Sequence, residues 1–341
     1  MTEVRAAYYT GNRRIELRPA NVAPPAPGMV QVQVAFTGIC GTDLHIVHGA
    51  MDGRVAPPAI LGHEMAGRVT AIGEGVDGWR PGDPVTVMPL VWCGECAACR
   101  IGATHICQRL SFLGIDASGS LQPYWTVPAE TLVSLPSDLS LRTAALAEPT
   151  AVAVHDVRRA ELSAGQRAVV IGGGPIGLLV GVVAKEKGAD VLLVEPNDGR
   201  RSLAEATGLA TLDPHAREVA AEVVEWTDGD GAEVAFEVSG AVPGIQAAID
   251  ALGPHGRVVV VAIHTTPPPV DLFRIFWREL TLVGARVYER RDFEEAVRLL
   301  AAGQIPVDAL VTDVLPLPKT AEAFTALDAG HAMKILIDCA G

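Results

Sequence analysis

Four cysteines crowd into fifteen residues as Cys93-x2-Cys96-x2-Cys99-x7-Cys107. Thiolates are soft ligands, and four of them at this spacing can close a tetrahedral zinc site with no position left for a substrate. Such a metal would be structural and tie down a loop. A second set of metal-competent residues is dispersed. Cys40 lies in Gly38-Ile39-Cys40-Gly41-Thr42-Asp43-Leu44-His45, His63 and Glu64 lie in Gly62-His63-Glu64-Met65-Ala66-Gly67, and Glu148 precedes Pro149. Three protein ligands plus one open position describe a catalytic zinc. Spacing alone does not join these residues. Taken singly, they read as a buried cysteine, a satisfied histidine and surface carboxylates.

A third pattern is Gly172-Gly173-Gly174-Pro175-Ile176-Gly177, directly after the apolar run Ala168–Ile171 and at the head of an apolar helix. Its spaced glycines make a tight turn, let the backbone approach a pyrophosphate, and let helix and strand pack closely. The helix N-terminus adds N–H groups and partial positive charge. Glu195 ends the next strand-like run, 18 residues after Gly177, where a carboxylate can accept from adenosine ribose hydroxyls. That favours NAD over NADP, because a 2′-phosphate would bring a like charge to the same place. Arg200 is a candidate for the adenine face, and with Arg201 it is the counter-argument, since arginine receives a 2′-phosphate.

The elements that must position these groups change character along the chain. Up to about residue 150 the pattern is β-rich: Val30–Phe36 alternates apolar and polar, and short apolar runs at 65–72, 85–90 and 121–128 are separated by turns such as Pro81-Gly82-Asp83. From about 151, strand-like runs (Ala168–Ile171, Val191–Glu195, Val234–Val238, Arg257–Ile263) alternate with helical stretches at 199–207 and 215–226. This alternation predicts a parallel doubly wound α/β sheet. The tail is mixed, with helices near 292–302 and 319–328 and strands near 310–315 and 334–338.

Composition narrows the function. With 341 residues, 49% of them hydrophobic, the chain carries two or three domains and a sizeable core. A net charge of -13 speaks against nucleic acid as a partner. The longest apolar run, Ala168–Ala184, holds five glycines and a proline and reads as strand, turn and helix rather than a membrane span. No apolar signal segment stands in the first thirty residues, so a cytoplasmic protein is expected.

Taken together, Gly62-His63-Glu64-x2-Gly67-x5-Gly73-x2-Val76 resembles the zinc signature of the medium-chain alcohol dehydrogenases. The Cys-Gly-Thr-Asp-x-His stretch before it, the four-cysteine loop and the glycine turn follow in that family's order. The resemblance implies a GroES-like β-rich catalytic domain (1–150), a Rossmann domain (151–286) and a C-terminal segment (287–341) returning to the catalytic domain. Glu148-Pro149-Thr150 and the segment from His331 are similar to the sorbitol and 2,3-butanediol dehydrogenase branch, although Val287-Tyr288 stands where the sorbitol enzymes have Arg-Tyr.

The resemblance further implies two zinc ions, one held near Cys40, His63, Glu64 and Glu148, and NAD as hydride acceptor. Thr42 would take the proton of a small diol or polyol substrate and pass it through the ribose to His45. Asp43 would orient the His63 ring. The family's habit implies a homodimer or homotetramer. An L-threonine dehydrogenase or other alcohol dehydrogenase is the alternative. A silent dinucleotide-binding protein does not explain the intact Cys40, Thr42, His45 and His63.

Overall fold

The computed structural model describes residues 4–330 and 332–340; His331, which opens one of the segments compared above, lies outside the described residues. The chain divides into two compact units. One holds the chain up to Glu148, Glu289–Gly303 and the chain from Leu310 on. The other holds Pro149–Tyr288 and Gln304–Ala309.

In the first unit, the alternating run around Val32 becomes the ten-residue strand Met29–Gly38. It is the hub of a seven-stranded sheet among the described residues, ordered Leu132–Ser134, Pro84–Val87, Glu64–Ile72, Met29–Gly38, Lys334–Asp338 and Val311–Pro316, with Tyr124–Pro128 also paired to the hub. Two pairings matter for the site. Gly38 lies opposite Glu64 on one side and opposite Leu336 on the other. A side chain at Gly38 would run into the Glu64 carboxylate, so only glycine allows that close approach. The C-terminal strand thereby delivers Lys334 beside Glu64. The apolar run at 85–90 is not one strand: it splits into Pro84–Val87 and Leu90–Val91, and the latter pairs with Ser111–Phe112.

The second unit is the expected parallel sheet with helical crossovers. Its strand order is Ala210–Leu212, Asp190–Val194, Arg167–Ile171, Ala232–Glu237, Leu252–Val260, Thr281–Gly284. Order reverses between Arg167–Ile171 and Ala232–Glu237, which makes the crevice at their C-terminal ends the ligand position of such a sheet. Val169, Ile171, Ala235, Ile249 and Val258 are among the residues of its buried core. Most elements shift by one or two residues, and two differ from expectation by more. The strand expected at Arg257–Ile263 spans Leu252–Val260, because Val261 and Ala262 both turn to donate to the Glu237 carbonyl. The helix expected from 215 starts at Val219: Asp213 Oδ1 first accepts from the His215 N–H at 2.9 Å in a turn, and Glu218 then caps the helix.

Candidate active site

The hub strand ends at Gly38, and Cys40 caps the helix Gly41–Val47. The Cys40 N–H donates to Asp43 Oδ2 at 2.9 Å, which fixes the first turn. Asp43 therefore does cap the turn, and its other oxygen points elsewhere: Oδ1 lies 3.7 Å from His63 Nδ1, with both groups buried. That separation is an electrostatic approach, longer than the hydrogen bond expected for ring orientation. The Phe112 ring stands edge-on to the imidazole at 5.2 Å between centroids.

Cys40, His63 and Glu64 converge, with one ligand atom from each within 4.8 Å of the others. Glu148, only 4% exposed, lies outside that set, but its charge acts on both His63 and Lys334. Burial works to lower the His63 pKa, yet the charges of Asp43, Cys40 and Glu148 and a hydrogen bond to Cys40 outweigh it and hold it well above its ordinary value. Burial raises the Asp43 pKa. Several anionic groups thus crowd one buried imidazole, and the donor set of thiolate, imidazole and carboxylate fits a zinc cation at that point.

Lys334 is a residue of this cluster that sequence reading missed. Its ammonium donates to both Glu64 oxygens at 2.7 Å and to the Ile39 carbonyl at 3.1 Å, all buried. Its three donors are therefore all used. Burial disfavours its charge, but Glu64, Cys40 and Glu148 more than compensate and raise its pKa.

The four loop cysteines also meet. Their sulfurs approach at 3.5 Å (Cys96–Cys99 and Cys93–Cys107), 3.8 Å (Cys96–Cys107) and 3.9 Å (Cys93–Cys99). Zinc–sulfur bonds of about 2.3 Å at tetrahedral angles require sulfur–sulfur separations of about 3.8 Å, so this donor set fits a closed zinc site. Main-chain N–H groups of Cys93, Gln108 and Arg109 point at Cys107 or Cys96 sulfur at 3.3–3.5 Å. Hydrogen bonding by the Glu95 N–H leads the causes that bring the Cys93 thiol down to about 6, whereas burial leads those that push Cys99 up to about 12. A cation among the sulfurs removes that conflict.

In the second unit the glycine turn leads into the helix Pro175–Glu186, whose N-cap is Gly174. Gly172 has φ +107°, and a side chain at Gly177 would strike the Gly172 carbonyl. Pro175 occupies the helix start, where its missing N–H costs nothing. Ile176 follows it in the first turn. Glu195 stands one residue past its strand and is buried. It accepts from the Gly173 N–H at 2.7 Å and the Asn197 N–H at 2.9 Å. Arg200 reaches toward it, Nη1 lying 3.9 Å from Glu195 Oε2, while Arg201 donates to the Glu195 carbonyl at 2.7 Å. On the helix Gly41–Val47, Thr42 is half-buried and His45 exposed, three residues apart and so on one face. Cys339 is buried, with its thiol pKa raised by burial. No described helix is long and apolar enough to cross a membrane.

A family model described as the alcohol dehydrogenase GroES-like domain matches residues 26–137, and one described as zinc-binding dehydrogenase matches residues 175–302. A 2-dehydro-3-deoxy-L-galactonate 5-dehydrogenase from Pseudoalteromonas atlantica is 50% identical, covering 98% of each chain. The structure of 2R,3R-butanediol dehydrogenase from Bacillus subtilis superposes with a TM-score of 0.90 at 32% identity, covering 98% of this chain and 99% of that one. A Sinorhizobium meliloti protein described as a zinc-binding dehydrogenase bound to NADP superposes with a TM-score of 0.93 at 29% identity, covering 99% and 100%. With a GroES-like domain, a Rossmann sheet and these relatives, the chain belongs to the zinc-dependent medium-chain alcohol dehydrogenase superfamily, an oxidoreductase family that uses zinc and a nicotinamide cofactor.

Proposed function

We propose that the chain oxidises a secondary alcohol of a polyol or sugar acid with NAD, at a zinc held by Cys40, His63 and a carboxylate from Glu64 or Glu148. The observation that carries this reading is the convergence of Cys40, His63 and Glu64 beside the helix bearing Thr42 and His45. When bound, zinc supplies Lewis-acid polarisation of the alcohol oxygen and the nicotinamide accepts the hydride. The residues supply the rest. Thr42 takes the hydroxyl proton, and exposed His45 delivers it to water. Asp43 holds the first helical turn and sets its Oδ1 3.7 Å from His63 Nδ1. Cys93, Cys96, Cys99 and Cys107 hold a second, structural zinc. The substrate class rests on the sugar-acid and butanediol relatives. A rate panel of 2-dehydro-3-deoxy-L-galactonate, 2,3-butanediol, sorbitol, xylitol and L-threonine tests it. The highest kcat/KM should fall on a sugar acid or polyol; a preference for threonine contradicts the reading.

NAD is proposed over NADP from Glu195. A carboxylate there receives ribose hydroxyls and repels a 2′-phosphate, and a repulsion of about 3 kcal/mol favours NAD more than a hundredfold. Glu195→Ser should cut the NAD-to-NADP ratio of kcat/KM by at least about tenfold, a part of that hundredfold. The Sinorhizobium protein bound to NADP is the counter-example. A wild type preferring NADP, or a ratio untouched by the substitution, refutes the assignment.

The oligomer is proposed to form through the helix Leu272–Arg278 and the edge strand Thr281–Gly284. This helix is inverted. Arg274 and Arg278 turn inward to the carbonyls of Ile249, Asp250 and Leu252, while Leu272, Phe273, Phe276 and Trp277 are each 67–74% exposed. Leu282 is exposed on the neighbouring edge strand, one side of which is unpaired among the described residues. A second copy related by a two-fold axis would pair both edges and cover both apolar faces. Light scattering should give a dimer or tetramer for wild type and monomer for Phe276→Glu/Trp277→Glu. A monomeric wild type at micromolar concentration contradicts this.

A further inference from the structure

Two carboxylates stand at strand ends around the crevice of the parallel sheet. Glu195 follows Asp190–Val194, and Glu237 ends Ala232–Glu237. The proposed function uses the first and leaves the second idle, although Glu237 is fully buried. Its Oε1 accepts from the Ser239 N–H at 3.0 Å, the Gly240 N–H at 3.0 Å and the Ser239 hydroxyl at 2.5 Å. Its Oε2 lies 2.9 Å from His264 Nε2. An oxygen taking three donors belongs to a carboxylate, so the ring proton of His264 sits on Nε2 and donates. Nδ1 then keeps a lone pair. That atom is buried and has no hydrogen-bond partner among the described residues.

The position of this pair is informative. His264 follows the strand Leu252–Val260 by four residues, and Val261 and Ala262 donate to the Glu237 carbonyl at 3.0 and 3.1 Å. Ser239 presses on the glycine turn: a side chain at Gly172 would meet it at 3.0 Å. Gly172, Ser239, Glu237 and His264 therefore stand together at the C-terminal ends of the central strands. In a doubly wound sheet a dinucleotide crosses there, one nucleoside over each half. Glu195 belongs to the adenosine half. His264 belongs to the other.

We infer that His264 binds the nicotinamide-nucleoside half of the cofactor, its Nδ1 accepting a hydrogen bond from a ribose hydroxyl or the carboxamide N–H, with Glu237 fixing the tautomer. The inference rests on the dinucleotide reading of the crevice. Calorimetric titration of the full chain with NADH, ADP-ribose and ADP tests it. His264→Phe should weaken NADH about fivefold to tenfold, the worth of one hydrogen bond, and leave ADP unchanged. A matching loss with ADP-ribose assigns the donor to the ribose; no loss assigns it to the carboxamide.

Glu237→Gln should act through the tautomer. Its amide would keep the Ser239 and Gly240 contacts through oxygen but donate to Nε2. The ring proton would then move to Nδ1, where it opposes the cofactor's donor. NADH binding should again fall while ADP binding holds. In wild type, the 15N resonance of His264 Nδ1 should shift on adding NADH and stay in place with ADP. An unchanged NADH affinity in folded His264→Phe, parallel loss of ADP, or an unmoved resonance overturns the inference. A wild type that binds no dinucleotide overturns the functional reading and this inference with it.

Discussion

His63→Ala is expected to lower kcat/KM by at least about a thousandfold, the scale set by losing several kcal/mol of charge stabilisation at a metal. The loss should appear in the chemistry and not in the cofactor. NADH affinity should stay within about twofold of wild type, because the glycine turn and Glu195 proposed to hold the cofactor belong to the other unit, and substitutions that share no partners add nearly independently. Zinc should fall from two ions to one, leaving the ion held by Cys93, Cys96, Cys99 and Cys107. Removing the ring also takes away its packing against Phe112, so some thermal stability should be lost as well. Full activity in this variant would show that the cluster around Cys40 is not where the reaction happens.

Lys334→Met is expected to cost the zinc-free protein about 3–5 kcal/mol of stability, since it strands the Glu64 carboxylate in the interior. Glu64 has no exposed surface and loses both of its 2.7 Å contacts. The Ile39 carbonyl loses its 3.1 Å donor too. In a domain of this size the melting temperature should drop by roughly 10 °C. Glu64→Gln/Lys334→Met should recover much of the loss, because a neutral amide replaces the unpaired charge. A single variant as stable as wild type, measured by thermal melting, would mean that Glu64 finds another partner.

The contrast between the loop cysteines and Lys334 explains what sequence could reveal. Cys93 to Cys107 lie within fifteen residues, so local chain geometry suffices to bring the four sulfurs together. The glycine turn is equally local, with strand, turn and helix in one stretch. Cys40, His63 and Glu148 are far apart in the chain, and only a family resemblance linked them. Lys334 lies 270 residues from Glu64 and meets it through strand pairing across Gly38. A lysine opening an apolar strand gives no hint of its partner. Glu237 and His264 escaped for the same reason: each looks ordinary until Leu252–Val260 pairs with Ala232–Glu237. The helix Leu272–Arg278 was invisible to a rule that expects apolar faces to point inward, since its arginines do so instead.

The most direct measurement pairs zinc content with turnover in the same wild-type samples, during graded chelation and re-addition of zinc, with NAD and the preferred sugar acid or polyol. Fully metallated protein should hold two zinc ions per chain. Activity should vanish with the loss of the more exchangeable ion and return when it is restored, while NADH binding persists throughout. Undiminished turnover after that ion has gone, or at most one zinc in fully metallated protein, would contradict a zinc-centred dehydrogenase built on Cys40 and His63.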